Sequence, residues 1–145
     1  MSNLNLLVIM FCAGFTIALQ PSINSRLAQK VGVLESACIS FAVGTVVLLA
    51  VVLLTGKGNL KGLGDIAWWE LTGGVLGAIF VSATIFVVPR IGTAAAMAAT
   101  ISAQLITGLI LDHFGVFGVK EVHFDLKRAL GCALLAGGIL LIGKR

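Results

Sequence analysis

SACISFAVGTVVLLAVVLLT, residues Ser36 to Thr55, is a run of twenty residues without a charged side chain. A helix of about 20 mostly apolar residues, rising about 1.5 Å at each, crosses a hydrocarbon core of roughly 30 Å. The reading extends outward in both directions. Met1 to Ser25 carries no charge, and Leu71 to Pro89 and Ile91 to Leu111 are likewise uncharged, with Arg90 falling between them. Ala129 to Gly143 is shorter and reaches spanning length if Lys127, Arg128 and Lys144 extend to the headgroups. Apolar residues make up 59% of the chain and charged residues 11%, which sets it apart from the soluble globular mix. The expectation is an all-α integral membrane protein, a single transmembrane domain over 1–145. Its five transmembrane helices fall at about 4–27, 34–54, 66–89, 91–112 and 126–143.

Several classes drop out. A signal peptide would begin with positive charge and lead into a soluble domain, whereas the first cation here is Arg26 and more apolar helices follow. The net charge of +4 comes from cations dispersed over short loops, which favours lipid headgroups over nucleic acid. Cys12, Cys38 and Cys132 lie far apart in apolar segments and read as small hydrophobes. His113 and His123 sit in loop surroundings without metal-like spacing, so no metal or cofactor is expected. No nucleophile with its base and no pair of catalytic acids falls at membrane depth, so an enzyme is not expected either.

The cations divide evenly. Lys57, Lys61, Lys120, Lys127 and Arg128 fall on the amino-terminal side of the five spans, and Arg26, Lys30, Arg90, Lys144 and Arg145 on the other. Orientation follows the side richer in Lys and Arg. Balance therefore predicts dual topology and an antiparallel homodimer, with helices 4 and 5 supplying much of the contact. Small residues recur at close-packing spacing: Gly14 and Ala18, Gly73 and Gly77, Ala94 and Ala98, Ala95, Ala99 and Ala103, and Ala129, Ala133 and Gly137. That pattern fits a bundle interior and a dimer interface equally.

Polar groups inside the spans carry the functional reading. Cys12, Thr16, Gln20 and Asn24 stack on one face of helix 1, and Pro21 beside them cannot donate to the carbonyl of Ile17 and should kink the helix. A second stripe, Thr93, Met97, Thr100, Gln104 and Thr107, runs along helix 4. Amides in hydrocarbon must find partners. Either they bridge helices, or Thr16, Gln20, Asn24, Thr100 and Gln104 bind substrate in a shared cavity. Arg26 would stand at the mouth of that pathway, or extend to headgroups. Glu35 and Glu70 open helices, where the dipole favours an anion, and Glu35 and Asp112 join Arg26 as candidates for the pathway mouth or for coupling. Asp112 ends helix 4 against the dipole and so calls for a partner among His113, Lys127 and Arg128. Ser36, Ser40, Ser82 and Thr84 are expected to bond back to carbonyls one turn earlier.

Together these motifs resemble the small five-helix YdcZ-type family of the drug/metabolite transporter superfamily. The resemblance rests on Gln20-Pro21-Ser22-Ile23-Asn24 running to Leu27, and on Ser40-Phe41-Ala42-Val43-Gly44-Thr45. It continues through Gly73-Gly74 to Gly77, Pro89-Arg90-Ile91-Gly92, Asp112-His113-Phe114-Gly115 and Gly131 to Gly138. It implies two inverted five-helix repeats around a central pathway, with one chain supplying one repeat and a homodimer completing it. Small multidrug members of the superfamily use a membrane-buried Glu in helix 1; this chain has Gln20 there, so that proton and cation mechanism does not carry over. The implied function is an exporter in the bacterial inner membrane, a secondary transporter moving a small polar metabolite or toxic compound by alternating access. The alternative is a non-transporting membrane subunit or scaffold for a partner.

Overall fold

The computed structural model describes residues 3–56, 58–118 and 120–143. Lys57, Lys144 and Arg145, three cations of the charge balance, lie outside the described residues. Among the described residues there are five α-helices and no strand: α1 (Asn3–Val31), α2 (Val33–Thr55), α3 (Thr72–Ile91), α4 (Thr93–Phe114) and α5 (Leu126–Gly143). The first four are each long and apolar enough to cross a membrane, α3 together with the 3-10 turn Trp68–Leu71 that leads into it. They divide into two compact units, α1 to α3 and α4 with α5.

Two expected turns are shorter than the sequence reading made them. The 30–33 turn is Gly32 alone, at φ 103°, and the 89–92 turn is Gly92 alone, at φ 86°. Both are backbone conformations that a Cβ disfavours. Gly32 is constrained twice, because the Glu35 carboxylate folds onto the space a Cβ would take. Helix α1 consequently runs four residues beyond Leu27, to Val31, and α3 continues through Pro89. Proline removes one N–H without compelling a stop, provided the freed carbonyl finds another donor. The 56–65 loop also holds a 3-10 turn, Leu60–Asp65. Before α3, the Ala67 N–H donates to the Glu70 carboxylate at 2.9 Å, which satisfies a donor at that helix start.

In the first unit the packing is gathered at one end. Every buried residue on α1 to α3 lies near the Gly32 turn: Pro21, Asn24 and Ser25 on α1, Ser36 and Ala37 on α2, and Val81, Thr84, Ile85 and Val88 on α3. Ile85, 1% exposed, is the centre, with Ala37, Val81 and Phe80 against it. Beyond that end, residues 3–17 of α1 and 41–55 of α2 are exposed throughout. One further close approach joins the helices, since the Phe41 ring rests on Gly77, where a Cβ would meet it at 3.2 Å. A Cβ added at Gly14, Gly73 or Gly137 would meet no other element within 4 Å among the described residues. Much of the small-residue pattern on these helices is thus unpacked among the described residues.

In the second unit α4 turns back to α5 through Gly115, at φ 58°, and Phe117, at φ 59°. The Val122 N–H donates to the Asp112 carbonyl at 2.8 Å, and the Arg128 N–H to Asp125 Oδ1 at 2.8 Å, which caps α5. Ala96 and Ala98 on α4 are buried, whereas Ala94, Ala99 and Ala103 are exposed.

Candidate functional site

Pro89 lacks the N–H that would have bonded the Ile85 carbonyl one turn back. The Ser25 hydroxyl partly replaces it, its one hydrogen shared between Pro21 O at 2.7 Å and Ile85 O at 3.2 Å. The two prolines, on α1 and α3, therefore meet at one serine. Beside it, Asn24 ties α1 to α2: its amide donates to Ser40 Oγ at 3.2 Å, and its backbone carbonyl accepts from Ser36 Oγ at 2.8 Å. Asn24 is 6% exposed and Ser36 fully enclosed. Ser36 and Ser40 thus bridge helices instead of bonding back within α2, because their hydroxyls face α1 at the turn where the two helices are closest. Thr84 does bond back, to Val81 O at 2.9 Å.

We expect Ser25→Ala to cost about 1 kcal/mol, inside the roughly 0.6–1.7 kcal/mol measured for hydrogen bonds between membrane helices. In a Pro89→Ala background the cost should shrink, since residue 89 again donates to Ile85. Unfolding in detergent of both single variants and the double variant measures this; equal costs in the two backgrounds would show that the serine and the proline act separately.

Beside this polar core lies an open-sided groove of about 510 Å³. From α1 it is lined by Ser22, Ser25, Arg26, Gln29 and Lys30, and from α3 by Val88 and Pro89. Arg90 is not among the lining residues; its guanidinium stacks 3.6 Å over the Phe86 ring and donates to the Phe86 carbonyl.

The other predicted residues fall as follows. Gln20 is half-buried and its amide makes no hydrogen bond among the described residues. Because α1 is longer than expected, Gln20 lies only about 4.5 Å along the axis from the helix midpoint. Thr16 is exposed and its hydroxyl bonds back to Ala13 O at 2.7 Å. In the second unit, Gln104 is exposed at the middle of α4 and Thr100 is half-buried, again without a hydrogen bond among the described residues. Asp112 pairs with Arg128, Nη1 to Oδ2 3.1 Å, and the same guanidinium reaches Val122 O at 3.5 Å. Glu35 is exposed over the Gly32 turn.

The sequence reading passed over two arrangements. One is the Ser25 contact, whose signal was a serine four residues after one proline with a second proline elsewhere in the chain. The other is the 113–124 turn, where the His113 and His123 rings stand 5.6 Å apart and His113 Nδ1 accepts from the Phe124 N–H at 3.2 Å. Together with Phe114, Phe124, Cys132 and residues of α4, His113 rims an apolar cavity of about 550 Å³. Among the described residues no group of three or more His, Cys, Asp or Glu is placed to hold a metal.

Comparison with known proteins supplies the class. The chain belongs to the inner-membrane exporter family described as "Putative inner membrane exporter, YdcZ", whose profile matches residues 5–141. It is 32% identical over 144 residues to the inner membrane protein YdcZ of Escherichia coli (strain K12), a match covering 96% of this chain and 95% of that protein. No solved structure matches it. With its apolar helices, the chain is a multi-pass inner-membrane protein.

Proposed function

We propose that this protein is a secondary transporter that exports a small polar solute by alternating access, working as an antiparallel homodimer in which α5 is the fifth span. The observation that carries the reading is Gln20, an amide near the middle of a membrane helix with no partner among the described residues. In hydrocarbon such a group is costly unless something hydrogen-bonds to it. A solute passing along the helix meets that need. Gln104 at the middle of α4 carries the same chemistry. Thr16 and Thr100 would add hydroxyls along the two stripes, and Asn24, already engaged with Ser40, would hold the pathway wall in place. Arg26 would stand at the pathway mouth. Glu35 and Asp112 have local duties, at the Gly32 turn and with Arg128, that leave them a secondary part.

The inverted dimer is supported by the even charge division and by the exposed halves of α1 and α2, which a second copy would cover. Inverted repeats exchange inside for outside when their two conformations swap, which is what alternating access requires. The test is flux from liposomes holding the purified protein and loaded with a metabolite panel. Saturable efflux of at least one polar solute is expected. Absence of flux for the whole panel, with the protein recovered in complex with another membrane protein, would favour the scaffold reading.

A further inference from the structure

The groove beside Arg26 and Lys30 is charged in a way its surroundings do not satisfy. The two cations are one helical turn apart on α1, both exposed, and neither pairs with a carboxylate among the described residues. The one acidic residue of α1 and α2, Glu35, is folded onto Gly32. The carboxyl-terminal dipole of α1 opposes an anion with only about half a charge, against two full positive charges. Gln29 adds an amide, and Val88 and Pro89 supply an apolar wall.

Depth places Lys30 beyond the hydrocarbon boundary, about 19.5 Å from the α1 midpoint, and Arg26 at its edge, about 13.5 Å from it. Helix α1 has 29 residues, about 43 Å of rise, whereas the hydrocarbon core is roughly 30 Å thick. We propose that this groove binds a phosphate oxyanion, held by the Arg26 guanidinium fork and the Lys30 ammonium, with Gln29 donating to a remaining oxygen. Guanidinium matches phosphate with two parallel hydrogen bonds, and an ammonium adds a point charge. The phosphate can belong to a phospholipid headgroup or to a soluble anion. The site adds a ligand class to the pathway mouth assigned above, and because binding is measured without flux, its failure is separable from failure of the transport reading.

The experiment uses the full chain in a phosphate-free maltoside detergent, titrated by calorimetry with inorganic phosphate and, separately, with dihexanoyl phosphatidylglycerol. Saturable binding of at least one probe is expected, weakened at least tenfold in R26Q/K30Q and unchanged in K120Q, a control in the second unit. Binding of both probes, with phosphate displacing the lipid, assigns the site to a soluble anion; binding of the lipid alone assigns it to a headgroup. K30Q alone should show a smaller loss, which keeps the test open if the double variant fails to fold. Absence of saturable binding by either probe, or equal affinity in wild type and every Arg26 and Lys30 variant, would overturn the proposal.

Discussion

Flux is expected to fall at least tenfold when Gln20 is replaced by leucine, with the protein still inserted and folded. Leucine fills similar space and is at ease in lipid, so the substitution removes the hydrogen-bonding amide without opening a large cavity. No described side chain bonds Gln20, so its loss strands no partner within the chain. Gln104→Leu should behave in the same way, for the same reason. Thr16→Val makes a useful contrast, because that hydroxyl is already occupied by the Ala13 carbonyl and its removal should be mild. Proteoliposome flux and thermal unfolding in detergent, measured together, separate recognition from folding. Full flux in both leucine variants would show that the amides serve packing between subunits and not the solute.

The second large effect concerns orientation. Two or three lysines inserted beside Gly58, in the exposed loop before the Leu60–Asp65 turn, should fix one topology and abolish activity when that variant is expressed alone. In the proposed five-span topology Lys120 and Lys127 share the side of that loop, so replacing both by glutamine should bias the chain the other way while sparing Arg128 for Asp112. Co-expression of the two variants should restore activity. A wild-type carboxyl terminus that reports only one face of the membrane would end the inverted-dimer reading, and so would undiminished activity of the lysine-loaded variant by itself.

Much of the helical layout was legible because hydrocarbon imposes a length and forbids charge, and both are visible in residues such as Ser36 to Thr55. Turns were less legible. Pro89-Arg90-Ile91-Gly92 reads as a break, since proline and glycine both interrupt helices. In the fold the proline is tolerated because Ser25, 60 positions away along the chain, reaches the carbonyl it frees. No local pattern announces that contact. Ser36 and Ser40 were opaque for a similar reason: a serine in a membrane helix bonds its own backbone unless a neighbouring helix comes close, and closeness here is set by Gly32. Asp112 was easier, because an anion at a helix carboxyl terminus needs a cation, and three candidates stood nearby. Geometry alone decided for Arg128.

The gathering of packed residues near Gly32 gives the first unit a mechanical character. Asn24, Ser25, Ser36 and Ile85 form a fulcrum, and α1 from Asn24 back to Asn3, exposed from residue 17 outward, is an arm of about 32 Å. A swing of about 10° at such a fulcrum carries the far tip roughly 5 Å, close to one helical turn. A rearrangement slight enough to keep the bond between Asn24 and Ser40 would thus be magnified at the far tip of α1. The groove holding Arg26 and Lys30 sits at the short end of this lever, so a small displacement there would correspond to a larger one at the long end.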